Sequence, residues 1–319
     1  MFKPCDTDYN LDRHLVKFLQ DNTFFAEMSR YIRKAPTTDI PTAAVAYDPE
    51  FDDITLFWNP DFLSPMTDAE VRGLLCHEYY HLVFDHLTTR RKTPPKMWNV
   101  ATDLAINSLI TDHAAGNNNI ALPQGGLVPG VFPKLADGRD PSPEEKAAMP
   151  IANLIASFPR NQASEWYFEK LKEKVEEEKK KGNPQPGDGD PFGGLDSMDD
   201  HSTWDQIPDD LKELIKGKVK AIVDRAVKAA DSQANGWGNI PAELREQIRA
   251  SVSPTVNWRN VLRQFVGSLA RGERSTTIKR INKRFPYIHP GTKRGYVAKL
   301  LVAIDQSGSV DDTQLAIFF

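Results

Sequence analysis

Cysteine is nearly absent from this sequence: Cys5 and Cys76 are the only two in 319 residues. Two thiols far apart in so long a chain make no disulfide framework, which argues against a stapled secreted scaffold and for a reducing cytoplasm. Long hydrophobic runs are missing too. No apolar stretch approaches the ~20 residues of a membrane-spanning helix, and the opening "MFKPCDTDYN" has no hydrophobic signal core. The expectation is a soluble cytoplasmic protein with no membrane partner. Neither sign of charge dominates, with 40 basic residues against 44 acidic ones and a net charge of −4. Nothing global therefore points to nucleic acid or to an anionic surface. Internal repeats are also lacking. The chain does have enough length for a substantial core and for two parts.

Titratable chemistry is concentrated in "LLCHEYYHLVFDH", residues 74–86. At about 100° per residue, His77 and His81 lie roughly 40° apart on one helix face, so two imidazoles can share one metal ion. Glu78 can lean over the same spot and act as a base toward water. This is an H-E-x-x-H arrangement. Burying an uncompensated glutamate and two imidazoles would be costly, and a shared metal is the simplest compensation. The alternative is a helix whose two histidines and glutamate satisfy one another.

Thr67 followed by Glu70 has capping-box spacing, so the helix is expected to run from Thr67 until before Pro94. Ahead of it, "PTAAVAY" and "ITLFWN" flank the turn-prone "DPEFDD" and read as a hairpin, preceded by one or two amphipathic helices over residues 11–34. After it, "MWNVATDLAINSLIT" predicts a helix over about residues 97–112, crossed by Asn99, Asp103 and Asn107 at four-residue intervals. A further helix is expected at "SEWYFEKLKEKVEEEKKK", with a loop over 116–150 before it. Two more are expected over 207–235 and 241–271.

A catalytic zinc site commonly takes three protein ligands. His86 is a poor third: in a continuing helix it points about 180° away from His77, and a capping or core hydrogen-bonding role near the helix end suits it better. Asp85 shares the face but lies ~12 Å along the axis, which leaves it at most a supporting role. Asp103 is the stronger candidate, with Asn107 one turn later to orient a ligand histidine. Alternatively, both merely hydrogen-bond to loop backbone. His201, in "DDHSTW" after the turn-rich stretch 182–200, could hold an oxyanion or add a ligand, although most lone loop histidines do neither. A peptide could lie along the hairpin strand beside the helix by edge pairing. The basic stretch 271–294 reads as a solvated connector rather than a nucleic-acid site.

The sequence of motifs "CHEYYHLVFDH", "WNVATDLAIN", "LPQGGLVPG", "DDHSTW", "GNIPAEL", "NWRNVLRQFV" and "LLVAIDQSGSV" resembles, over nearly the whole chain, a family of bacterial and phage proteins. These carry an N-terminal metallopeptidase domain of zincin type and a C-terminal von Willebrand factor A-like domain. The resemblance implies an α+β fold. Residues 1–181 would form a zincin-like domain of helices with a small β-sheet. Residues 182–200 would be a flexible loop, and 201–294 a helical region completing the metallopeptidase domain and connector. Residues 295–319 would begin a doubly wound α/β A-like domain that is incomplete at the C-terminus. It implies zinc-dependent amide hydrolysis on a peptide or protein, with His77, His81 and Asp103 as ligands and Glu78 as general base. A gluzincin carries glutamate where Asp103 would stand, which is a departure. "DQSGS" is similar to the first loop of a metal-ion-dependent adhesion site, implying Asp305, Ser307 and Ser309 around Mg²⁺. The later threonine and aspartate of such a site have no counterpart in this sequence. Members of the family are associated with AAA-type ATPases of the MoxR group, so such a partner is implied. In that setting the zinc could instead stabilise a non-catalytic binding or regulatory module.

Overall fold

The computed structural model describes residues 2–114, 119–133, 143–180, 192, 195, 204, 207–253 and 274–294. Contacts divide the chain into two units, Met1–Ser253 and Pro254–Phe319. The architecture is mixed α+β, with helices and small sheets.

The N-terminal segment forms two helices, α1 (Asp12–Asp21) and α2 (Thr23–Arg30). They break at Asn22, whose backbone is extended and whose side chain accepts from the Phe25 N–H to cap α2. Next comes a three-stranded sheet of β1 (Arg33–Pro36), β2 (Ala43–Asp48) and β3 (Asp53–Trp58), in the order β1-β3-β2. β2 and β3 are the expected antiparallel hairpin, with Val45 opposite Leu56. β1 pairs parallel with β3, Arg33 opposite Thr55, and was not legible as a strand. It is four residues long and ends in a proline, which is tolerated on an outer strand.

The short helix α3 (Pro60–Leu63) leads into α4 (Asp68–Val83). The capping box forms: the Glu70 N–H donates to Thr67 Oγ1, and the Thr67 N–H donates to Glu70 Oε2 at 2.9 Å. Every residue of α4 from Val71 to Val83 is buried. The helix therefore shows no amphipathic stripe, and polar side chains on any face must find partners inside the protein. Tyr80 stands edge-on to Phe25 of α2 at 5.1 Å. Gly73 makes room for a crossing chain, since a Cβ there would sit 1.8 Å from the Ala121 carbonyl oxygen. The Ala121 N–H donates to the Ala69 carbonyl, tying that segment to α4.

α4 does not continue toward Pro94 as the sequence suggested. Asp85 adopts a left-handed φ of 58°. The Asp85 N–H then bonds back to the Leu82 carbonyl, and the His86 N–H to the His81 carbonyl at 3.0 Å. That bond pair is a Schellman stop, and aspartate is among the residues that tolerate the left-handed conformation.

α5 (Pro95–Ala114) starts with proline at its first position, where no N–H is needed. α6 (Pro143–Ser157) occupies part of the stretch expected to be loop. Its internal Pro150 is the kind of residue that reads as a breaker in sequence. α7 (Ser164–Lys180) follows as expected. Then α8 (Asp209–Asp231) buries Ile215, Val219, Ile222, Val223, Ala226 and Ala230 at helical spacing, and α9 (Ala242–Val252) buries Leu244, Ile248 and Val252. One core joins α1, α2, α4, α8, α9 and a face of the sheet; a second joins α5, α6 and α7. α5 contributes to both, Ile106 and Ile110 to the first and Leu104 and Trp98 to the second.

In the second unit, β4 (Arg274–Ile281) and β5 (Pro290–Arg294) pair antiparallel, Thr276 opposite Thr292. The basic stretch there reads in the sequence as a solvated connector, with no strand expected. The run "RSTTIK" instead carries the β-branched residues that favour strand. No helix among the described residues is long and apolar enough to cross a membrane.

Candidate metal centre

The site forms where α4 crosses α5. His77 and His81, one turn apart on α4, bring their Nε2 atoms to within 2.9 Å of each other. Asp103, reaching across from α5, places Oδ1 3.8 Å from His77 Nε2 and 3.6 Å from His81 Nε2. Both histidines are fully buried and Asp103 is 4% exposed. In a tetrahedral zinc site with bonds of ~2.0–2.1 Å, neighbouring donors stand about 3.3 Å apart, so three separations of 2.9 to 3.8 Å bracket the expected value. The donor set, two imidazoles and a carboxylate, suits a metal ion of the zinc type.

Each histidine is held through its other nitrogen. The Asn107 side-chain N–H donates to the Leu127 carbonyl at 2.9 Å, which fixes the amide so that its Oδ1 faces α4. His77 Nδ1–H donates to that oxygen at 2.8 Å and so presents the Nε2 lone pair to the centre. His81 Nδ1 lies 3.1 Å from His86 Nδ1. This contact exists because the Schellman stop reverses the chain. His86 is thus a buried hydrogen-bonding histidine at the helix end, outside the His77–His81–Asp103 donor group; what fails is the premise of an unbroken helix. With the His81 Nε2 lone pair turned to the centre, Nδ1–H donates to His86.

Glu78 is fully buried, and its Oε2 accepts from the Val45 N–H of β2 at 2.9 Å. That bond ties the base candidate to the sheet. Trp204 lies beside it: the indole Nε1–H donates to the Val45 carbonyl at 2.8 Å, and the ring stands 5.0 Å from the His81 ring. Cys76 is buried next to His77 in sequence, and burial pushes its thiol pKa up, so it stays neutral rather than becoming a thiolate ligand.

Asp85 stands at the stop of α4. It accepts hydrogen bonds from Thr88 and Thr89 just beyond the end of α4. His201, and Asp305, Ser307 and Ser309 with the segment expected to be A-like, lie outside the described residues. Sequence reasoning missed Trp204, although it closes the "HSTW" motif; a tryptophan ending a polar, turn-rich stretch is a signal for a buried anchor.

A buried His-His-Asp group on two crossed helices, with a glutamate beside the first histidine, could hold a metal ion, the kind of site a metallopeptidase would have. Residues 8–296 match the family described as "Putative metallopeptidase domain", and the chain belongs to that family. A protein from Thermotoga maritima, described as "Uncharacterized protein", is 24% identical over 311 residues, spanning 96% of this chain and 70% of the relative. No solved structure matches.

Proposed function

We propose that the protein is a zinc-dependent peptidase in which His77, His81 and Asp103 hold the ion and Glu78 is the general base. The observation that carries this reading is the convergence of three donor atoms, from two helices, at a site flanked by Glu78. When bound, the ion supplies Lewis acidity that polarises a carbonyl and acidifies water. The remaining work falls to the chain. Asn107 and His86 fix which nitrogen of each imidazole faces the centre. The Val45 N–H holds Glu78 Oε2 and so positions the carboxylate that would take a proton from the attacking water and pass it to the leaving amine. The β2 edge would align an extended peptide beside the histidines by main-chain pairing.

A second reading is favoured by the complete burial of His77, Glu78 and His81. In it the ion is structural, its fourth position is closed, and the module serves a partner such as a MoxR-type AAA ATPase. The two readings separate on one substitution. Glu78→Gln is expected to retain about one equivalent of zinc by elemental analysis while losing cleavage of fluorescein-labelled casein by at least ~100-fold. Undiminished cleavage would remove Glu78 from the mechanism. Absence of cleavage in the zinc-loaded parent chain would favour the structural role.

A further inference from the structure

β2 is an edge strand, and an edge offers the N–H and C=O of alternate residues to whatever lies outside the sheet. At Val45, the position next to the metal centre, both groups are taken from within the chain. The N–H donates to Glu78, and the C=O accepts from the indole of Trp204 at 2.8 Å. Trp204 is 3% exposed, and its ring stands edge-on to His81, at an interplanar angle of 66°. One side chain thus fills the acceptor on the strand and also covers a ligand histidine.

We propose that Trp204 is an internal competitor for substrate: its indole N–H occupies the Val45 carbonyl that the amide of an extended polypeptide would use. The proposal rests on the reading of β2 as the peptide-binding edge. An incoming strand must exchange its own N–H for that of the indole before its carbonyl can reach the histidines. The contact sets a threshold for occupancy, favouring chains that offer several main-chain bonds at once over short peptides that offer one.

Trp204→Phe separates these roles, because it keeps a ring against His81 and deletes the donor. The probe is fluorescein-labelled β-casein, an unstructured polypeptide. Binding is followed by anisotropy on the zinc-loaded full chain carrying Glu78→Gln, with and without Trp204→Phe. Cleavage is followed in chains that retain Glu78. Removing the indole N–H is expected to tighten casein binding about fivefold, the worth of one hydrogen bond no longer to be displaced. Trp204→Ala is expected to tighten it further; should that variant lose its circular-dichroism signature, Trp204→Phe decides alone. Binding that is unchanged, weaker or undetectable in the Trp204→Phe chain overturns the proposal. Tighter binding with no cleavage in any chain would leave the proposal standing and sink the peptidase reading.

Discussion

Two regions of this protein bury imidazoles, and they do so to opposite effect. His14 on α1 is 1% exposed, as hidden as His77 and His81. Around it the chain gathers a cation. Arg13 Nε–H donates to His14 Nε2 at 3.1 Å, and the Tyr9 hydroxyl lies 3.0 Å from the same nitrogen. A guanidinium on the lone pair makes His14 a neutral acceptor and leaves no electrostatic room for a metal. On α4 the arrangement is reversed: two Nε2 atoms and the Asp103 carboxylate face one another, which is a grouping that a cation stabilises. Burial of a histidine is therefore no mark of a metal site; the sign of what surrounds its free lone pair is.

The comparison breaks most sharply on metal content. His81→Ala is expected to lower bound zinc from about one equivalent to almost none, because two remaining donors do not hold the ion against solvent. His14→Gln should leave zinc unchanged. Elemental analysis of protein purified without added metal checks both, and zinc retained in the His81→Ala chain would remove that residue from the ligand set. Chelation of the zinc-loaded parent should also lower its melting temperature, since a ligand bound only to the folded state stabilises it.

The next largest effect concerns the crossing that builds the site. Gly73→Ala would drive a Cβ into the Ala121 carbonyl, against backbone rather than a movable side chain. The expected loss is about 3 kcal/mol in urea unfolding. Because Ala121 belongs to the segment that delivers the Leu127 carbonyl to Asn107, zinc affinity should fall with it. A substitution of equal size at exposed Gly217, where a Cβ meets nothing within 4 Å, should cost no stability. Smaller still is Asn107→Ala, which removes the group orienting His77 and its bond to the Leu127 carbonyl. It is expected to weaken zinc binding roughly 10- to 100-fold in competition with a chromophoric chelator, with the fold intact.

These expectations also mark how much the sequence disclosed. The four-residue spacings within α4 and α5 were readable because a helix turns the spacing of His77 and His81, and of Asp103 and Asn107, directly into a shared face. The β2–β3 hairpin was readable from its alternation and turn. What stayed hidden depends on contacts distant in sequence or on a single dihedral angle. His86 reaches His81 only because Asp85 turns left-handed, and no periodicity announces that. β1 is a strand because β3 lies beside it, not because "RKAP" favours extension. Trp204 meets Val45 across 159 residues, a pairing that topology alone supplies.

The smallest expected effect belongs to His14 and tests the other half of the comparison. Burial foremost, and then the charge of Arg13, lowers its pKa from 6.5 to about 4. The charged groups facing it come from both helices: Arg13 on α1, with Asp68 and Arg72 on α4. Because the folded value lies below the unfolded one, the unfolded chain binds the extra proton between about pH 4 and pH 6.5. The stability contributed by neutral His14 is full above that window and is lost as pH falls through it. Between pH 7 and pH 5 the loss should reach about 1–2 kcal/mol in urea titrations of metal-free protein. His14→Gln keeps an acceptor for Arg13 without the titration, so the difference between the two chains isolates this one imidazole from every group that they share. Identical pH dependence in the two chains would mean that folding does not lower the His14 pKa, and the contrast between the two regions would lose its physical basis.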